Sequence, residues 1–455
     1  MFDVCFSCFK IYAFAYILKA DNYFSSYCIM SFLNKKIKEI NGPINVIRME
    51  GNIDGINKVI YIFMDQHRPI TSQTQCGNVF SEDIQKYFVK NFSNLGGSSI
   101  MYDFFLELMP TKILTKKNIL NYRNIYIWEV INLFRDIFVF EPDENKVSVS
   151  KYFKNIRLHY MDIRDYFEKH FYDKLSDIDH VAEQMLERHE INLNDLQYIL
   201  NTITEFKIHI QFIKNIIKSY KTSSVKKKSI KKITMIKPHE NIEYEKLSKK
   251  QQEQVDFDNF NYILNKLFTS YKHINIREKQ LIQINILEKS MTELINDCDK
   301  IIKEFTKIGK TISQTNGKLV RDETSSLKYG YGLSIITIRN MLTFIINTVQ
   351  QFIDRFLTFF TLFMDIYFLR RFLDKDYITN AITYTGSYHS CVYIYTLVKD
   401  YNFHITHVAY PKNANIKNIN QKVKNAKEKY GLEEFLYPPT PIQCSDITHF
   451  PDNFL

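Results

Sequence analysis

Hydrophobic positions change period twice along the chain. From about residue 44, short apolar runs predict strands at Ile44 to Met49 and Val59 to Met64. The β-branched and aromatic residues of the second run suit a strand buried on both faces. It stops abruptly at Asp65, His67 and Arg68. Ser81 to Asn91 predicts a helix, with Ser81 as N-cap and Ile84, Tyr87 and Phe88 on its apolar face. Gly96-Gly97 ends it. The run from Ser98 to Pro110 predicts another buried strand, with Glu107 near its end, and residues 121 to 138 take helical spacing. Ile156 to Met161 alternates as a strand, placing Arg157, His159 and Met161 on one face, with Asp162 and Arg164 in the turn beyond.

From about 166 to 375 the apolar positions recur at threes and fours. Asp177 to Glu190, Leu193 to Tyr220, Asp256 to Tyr271 and Glu278 to Ile308 read as amphipathic helices. A Ser/Lys-rich piece from 221 to about 250 reads as a flexible basic loop between them. Residues 335 to 373 are the most apolar, but Gln350, Gln351, Asp354 and Arg355 interrupt them, which predicts a long buried helix rather than a membrane helix. Short-strand patterning then returns at Ala381 to His389, followed by a helix over Val392 to Lys399 and a strand over His404 to Tyr410. The tail from Pro438 reads as irregular.

This order predicts an α/β fold, with a mixed or mostly parallel sheet flanked by helices and split by a large α-helical insertion. The expected divisions are an N-terminal extension at 1–35, a first half of the α/β domain at 36–165, the insertion at 166–375, and a second half with the tail at 376–455. Within the extension, Val4 to Leu18 is interrupted by Lys10, is short for a membrane span and lacks a clear cleavage site. A signal anchor is the rival reading, and Met30 is a rival start.

Composition changes this picture little. Aromatics make up 15% of the 455 residues, whereas Gly (12) and Pro (10) are scarce, which favours long helices over a turn-rich β fold. The excess of Lys, Ile, Asn, Phe and Tyr is also what an AT-rich genome yields. The net charge of +10 comes from 60 basic and 50 acidic residues, a mild excess concentrated around Lys226, Lys227, Lys228, Lys231 and Lys232. No aromatics are interleaved there for base stacking, so there is no specific nucleic-acid signal. Seven scattered cysteines are an odd number and suggest reduced thiols in a cytosol-like compartment. Cys5 and Cys8 have no second pair or nearby His to complete a zinc site, and Cys391 reads as a small buried residue.

Candidate chemistry gathers where strands end. In open α/β sheets the carboxyl ends of strands build the site, and two predicted strands end in His67 and His389. A Glu at the close of an apolar strand, as at Glu107, is costly unless it is exposed, paired or bound to a metal. Met64-Asp-Gln-His67, Glu107 and Gly386-Ser-Tyr-His389 together resemble the superfamily that groups Tiki and TraB proteins with erythromycin-esterase-like and ChaN-like proteins. Those families carry two Gly-x-x-His motifs and an acidic residue after the second core strand. The second motif is intact here, whereas Met64 stands where the first has Gly. The resemblance covers roughly 44–165 and 376–410. The chain as a whole also resembles uncharacterised proteins of large DNA viruses.

The resemblance implies a hydrolase, metal-dependent and peptidase-like or else esterase-like, acting on an unknown small-molecule or peptide substrate. His67, Glu107 and His389 would hold a divalent ion (Zn, Mn or Co) or act as base and orienter without one. Asp65, Arg68, Arg157, His159, Asp162, Arg164 and Gly386 would support them. Haem carriage by the same histidines is an alternative ligand chemistry. A non-catalytic viral interaction or virion-associated protein that keeps the fold is the alternative function, with the helical insertion as its binding surface. Either reading places the chain in the host-cell cytoplasm or the virion.

Overall fold

The computed structural model describes residues 38–69, 71, 74–107, 125–138, 148–163, 171–223, 248, 250–251, 263–264, 267–268, 271–315, 335–410, 415–440 and 442–454. Its strands are β1 (Glu39–Asn41), β2 (Asn45–Ile53), β3 (Ile56–Asp65), β4 (Thr74–Gln75), β5 (Glu82–Asp83), β6 (Tyr102–Leu106), β7 (Ser148–Val149), β8 (Ile156–Tyr160), β9 (Asn380–Gly386), β10 (His404–Val408) and β11 (Ile442–Asp446). The helices that matter below are α1 (Ile84–Asn94), α2 (Tyr126–Ile137), α3 (Asp173–Arg188), α4 (Leu193–Ser223), α5 (Ile274–Thr315), α6 (Ile335–Asp374) and α7 (Ser387–Tyr401).

Seven strands form one mixed sheet in the order β10-β2-β3-β9-β6-β8-β7. The four central strands β3, β9, β6 and β8 run parallel, and antiparallel strands close both edges. Strand β9, far along the chain, lies between β3 and β6. Its register aligns Gly386 with Asp65 and Tyr384 with Leu106, so three parallel strands end side by side.

Both faces of these central strands are covered, which explains their near-continuous apolar sequence. On one face Phe63, Phe104, Leu106 and Tyr384 pack against Phe88 and Phe92 of α1, Phe134 of α2 and Phe454 of the tail. On the other, Met64, Phe105 and Met161 meet Met364, Phe368 and Phe372 of α6 and Tyr393 of α7.

Helices α3 to α6 have a core of their own. Its buried positions on α6 include Ile338, Leu342, Ile345, Val349, Phe352, Phe356, Phe359, Phe363 and Ile366, an alternation of four and three that Phe360 and Leu362 widen near its end. Leu196, Ile199, Ile203, Phe206, Ile210, Ile213 and Ile217 of α4 keep the same step. That spacing holds one stripe toward its neighbours and builds a bundle with coiled-coil-like packing. Helices α4 and α5 run antiparallel, as the ion pairs Lys207 to Asp299 and Lys221 to Glu288 require. Helix α6 leaves this bundle to cover the sheet, so Asp365 sits where the two cores meet. No helix among the described residues is long and apolar enough to cross a membrane.

Several expectations are corrected. The helix predicted from Ser81 starts at Ile84, because Glu82 and Asp83 pair with β1 and Ser81 instead accepts a hydrogen bond from the Asn41 side chain. The helix predicted from Val392 begins at Ser387, which places His389 in a helical first turn rather than on a strand. The tail read as irregular contains β11, which joins β4, β1 and β5 in a second sheet. The cysteines expected to be reduced include a disulfide, Cys76 to Cys444, which joins the residue after β4 to the adjacent strand β11. Cys298 and Cys391 are free and buried. The extension with Cys5 and Cys8, the lysine cluster at 226–232, most of the helix predicted at 256–271, and Arg164 lie outside the described residues.

Candidate functional site

The end of β3 is shaped by Asp65. Its side chain is fully buried; Oδ2 accepts the backbone N–H of His67 at 2.7 Å, and Oδ1 accepts the hydroxyl of Tyr384 at 3.1 Å. An Asp that accepts the N–H two residues on closes a tight turn. The turn puts His67 at φ 53°, a left-handed conformation uncommon for a residue with a side chain. Burial pushes the Asp65 carboxyl above its ordinary range, against the pull of His67 and of its hydrogen bonds.

Glu107 follows the end of β6 and is also buried. Its Oε2 accepts the backbone N–H of Gly386 at 2.9 Å and the Thr385 hydroxyl at 3.0 Å. Gly386 is the N-cap of α7, so the carboxylate sits at the positive end of a helix. This anchoring satisfies one oxygen and fixes the direction of the other.

An imidazole faces each oxygen. His67 Nε2 lies 3.6 Å from Oε2, and His389 Nε2 lies 3.9 Å from Oε1. The His389 Nδ1 is 2.7 Å from Oδ1 of buried Asp365, 24 residues earlier on α6. A carboxylate can only accept, so this bond puts the proton on Nδ1 and turns Nε2, as an acceptor, toward Glu107. The two rings differ in access: the His67 side chain is 42% exposed and that of His389 5%.

Gly386 is required by this packing rather than by its backbone, whose φ of −50° suits any residue. A Cβ there would stand 3.1 Å from both Cε1 and Nε2 of His67 and 3.6 Å from Glu107 Oε2. The missing side chain is the space into which the His67 ring folds.

Asp65, His67, Glu107, Gly386 and His389 therefore come together at adjoining strand ends, together with Thr385, Tyr384 and Asp365, which sequence reasoning missed. Asp365 stands in an apolar helical run, where a carboxylate signals a partner, but nothing local names it. Arg68 is exposed in the same turn. Asp162 is buried just past β8.

Arg157 and His159 belong to a separate cluster further down the same face. Both bind Asp103, a fully buried residue that faces Arg157 in the β6–β8 ladder. Arg157 donates from Nε and Nη2 at 2.8 and 2.6 Å, and His159 Nε2 lies at 2.6 Å. Burial lowers the His159 pKa to about 4, helped by Arg371 and Arg157 and opposed by Asp103. Asp103 is four residues before Glu107, about 13 Å along a strand.

Two ligands of one ion with bonds of about 2.1 Å lie roughly 3.4 Å apart in tetrahedral geometry. The Glu107–His67 and Glu107–His389 pairs, at 3.6 and 3.9 Å, are close to that separation. Asp365 on the far nitrogen of His389 is the carboxylate–histidine arrangement that orients metal-binding imidazoles. The residues thus fit a divalent ion pairwise. Among the described residues, however, three donor atoms come within 4.8 Å of one another only at Glu39, Cys76 and Cys444.

Comparison with known proteins places this chain in a family. The chain is similar to three uncharacterized proteins of Acanthamoeba polyphaga mimivirus. Protein R706 is 37% identical over 434 residues, covering 94% of this chain and 99% of the relative. Protein R161 is 37% identical over 443 residues, covering 93% and 100%. Protein R160 is 35% identical over 438 residues, covering 94% and 100%. No solved structure matches the chain. Residues 38–455 match the family of unknown function DUF5847, and the chain belongs to that family of large-DNA-virus proteins.

Proposed function

We propose that the chain is a hydrolase whose reaction takes place over Glu107, between His67 and His389. The observation that carries the proposal is one carboxylate, anchored by a backbone N–H and a hydroxyl, with an imidazole nitrogen facing each of its oxygens at 3.6 and 3.9 Å. Its position at the carboxyl ends of three parallel strands is where α/β folds build sites. The matched family has no assigned function, so the Tiki/TraB-like reading rests on the two histidine motifs and on this placement.

His389, oriented by Asp365, takes a proton from the attacking water at Nε2. Glu107 holds that water and steadies the imidazolium that forms. The more exposed His67 delivers a proton to the leaving group on the solvent side. A divalent ion held by Glu107 with either His67 or His389 would lower the pKa of bound water toward neutrality. The mimivirus relatives support action inside the infected cell or the virion.

The test is a panel of ester, peptide and phosphoester substrates, assayed with zinc, manganese or cobalt and without metal. An activity that falls about 10²- to 10³-fold in Glu107→Gln, in a protein that still folds, supports the proposal. Activity untouched by Glu107→Gln, His67→Ala and His389→Ala would move the reaction elsewhere. Complete inactivity of the parent across the panel would favour the interaction-protein alternative.

A further inference from the structure

We propose that the Cys76–Cys444 clasp is also a metal site, closed by a disulfide when oxidised and by a thiophilic divalent cation such as zinc when reduced. The inference is independent of the hydrolytic reading. Glu39, Cys76 and Cys444 come from three distant segments: β1, the residue after β4, and β11. Their donor atoms nevertheless lie within 4.8 Å of one another, and all three residues are half-buried.

The backbone holds this arrangement without the S–S bond. Strand β11 pairs with β4 through Gln443 and Gln75, so the two cysteines follow in matched positions, with Cα atoms 4.9 Å apart. On its other side β11 pairs with β1, where Asn41 faces Cys444 and Glu39 faces Asp446. Residues two apart share a strand face, so the Glu39 carboxylate stands on the side of Cys444. The Cys76 N–H is tied to β1 through the side-chain oxygen of Asn41 at 2.9 Å. Opening the disulfide therefore leaves the three donors beside one another.

The chemistry of the set selects the ion. Two thiolates and a carboxylate are three of the four ligands that tetrahedral zinc takes, leaving one position for water. Reduction by a dithiol transfers two electrons and two protons to the disulfide and leaves the reductant as a disulfide. Metal binding then releases the two thiol protons. In either state the segment that follows His67 stays fastened to the C-terminal strand.

Cadmium titration of the reduced full-length chain, followed by the thiolate-to-cadmium charge-transfer band, tests this directly. That band reports sulfur ligation and is silent to a His/Glu site. The expected result is one additional equivalent in the reduced parent, compared with both the oxidised parent and Cys76→Ser/Cys444→Ser. The double variant retains Cys5, Cys8, Cys28, Cys298 and Cys391 and so sets the background. Glu39→Gln should keep the fold by circular dichroism and weaken zinc at least tenfold in competition with a chelator. No difference between the reduced parent and the double variant would overturn the site. Unchanged zinc affinity in Glu39→Gln would overturn the three-donor assignment.

Discussion

Replacing Gly386 by Ala separates the needs of the fold from those of the site. The backbone at φ −50° and ψ 140° accepts alanine without strain. Removing a glycine also restricts the unfolded chain, worth about 0.4–1 kcal/mol in favour of folding. Against this stands one tight contact, with the new Cβ 3.1 Å from His67 Cε1 and Nε2. The ring is 42% exposed and can yield outward by a few tenths of an ångström, so the net change in stability should stay within about 1 kcal/mol. The site should not be so tolerant. The shift carries Nε2 away from the oxygen it faces at 3.6 Å, and since a misplacement of about 1 Å costs about 100-fold, a few tenths of an ångström should cost about 3- to 10-fold in rate. Denaturant unfolding gives the first quantity, and imidazole nitrogen NMR of His67 with hydrolytic rate gives the second. A loss above about 3 kcal/mol would refute the reasoning, because the glycine would then serve the backbone. Unchanged His67 resonances would refute it from the other side.

Other expectations follow from the buried groups. His159 is neutral in the fold, with its pKa lowered to about 4 by burial, whereas the unfolded imidazole binds a proton near pH 6.5. The unfolded state therefore holds more protons between those values, and stability falls as pH drops from about 6.5 to 4, by roughly 3 kcal/mol. His159→Gln should flatten that part of the pH–stability curve; an unchanged slope would assign the loss to other groups. The Cys76–Cys444 bond closes a loop of 368 residues, so Cys76→Ser/Cys444→Ser in metal-free buffer should cost about 2–5 kcal/mol. Unfolding curves of oxidised parent and variant that coincide would contradict this.

The long-range architecture was legible where the pattern repeats. The alternation of threes and fours in α4 and α6 marks helices that bury one stripe, and the largely apolar runs of β3 and β6, interrupted in β6 by Asp103, mark strands covered on both faces. The two histidines were visible as polar interruptions at the ends of apolar runs. What stayed hidden depends on contacts that leave no local trace. Asp365 reaches His389 from another helix. Asp103 draws Arg157 and His159 inward, although alternation alone could not tell a site from a structural ion pair. Strand β11 is five residues long and gains its order from β1 and β4, so its sequence reads as a loop. The disulfide joins positions whose neighbourhood only the folded tail creates.

The most direct test of the proposed site is elemental analysis of the purified chain beside His67→Ala/His389→Ala, with both proteins checked for folding. Close to one equivalent of zinc, manganese or cobalt, held by Glu107 with one of the two histidines, is expected in the oxidised parent and lost in a folded double variant. Equal metal content in the two proteins, or an ion retained by the variant, would contradict an ion held by Glu107 with either histidine.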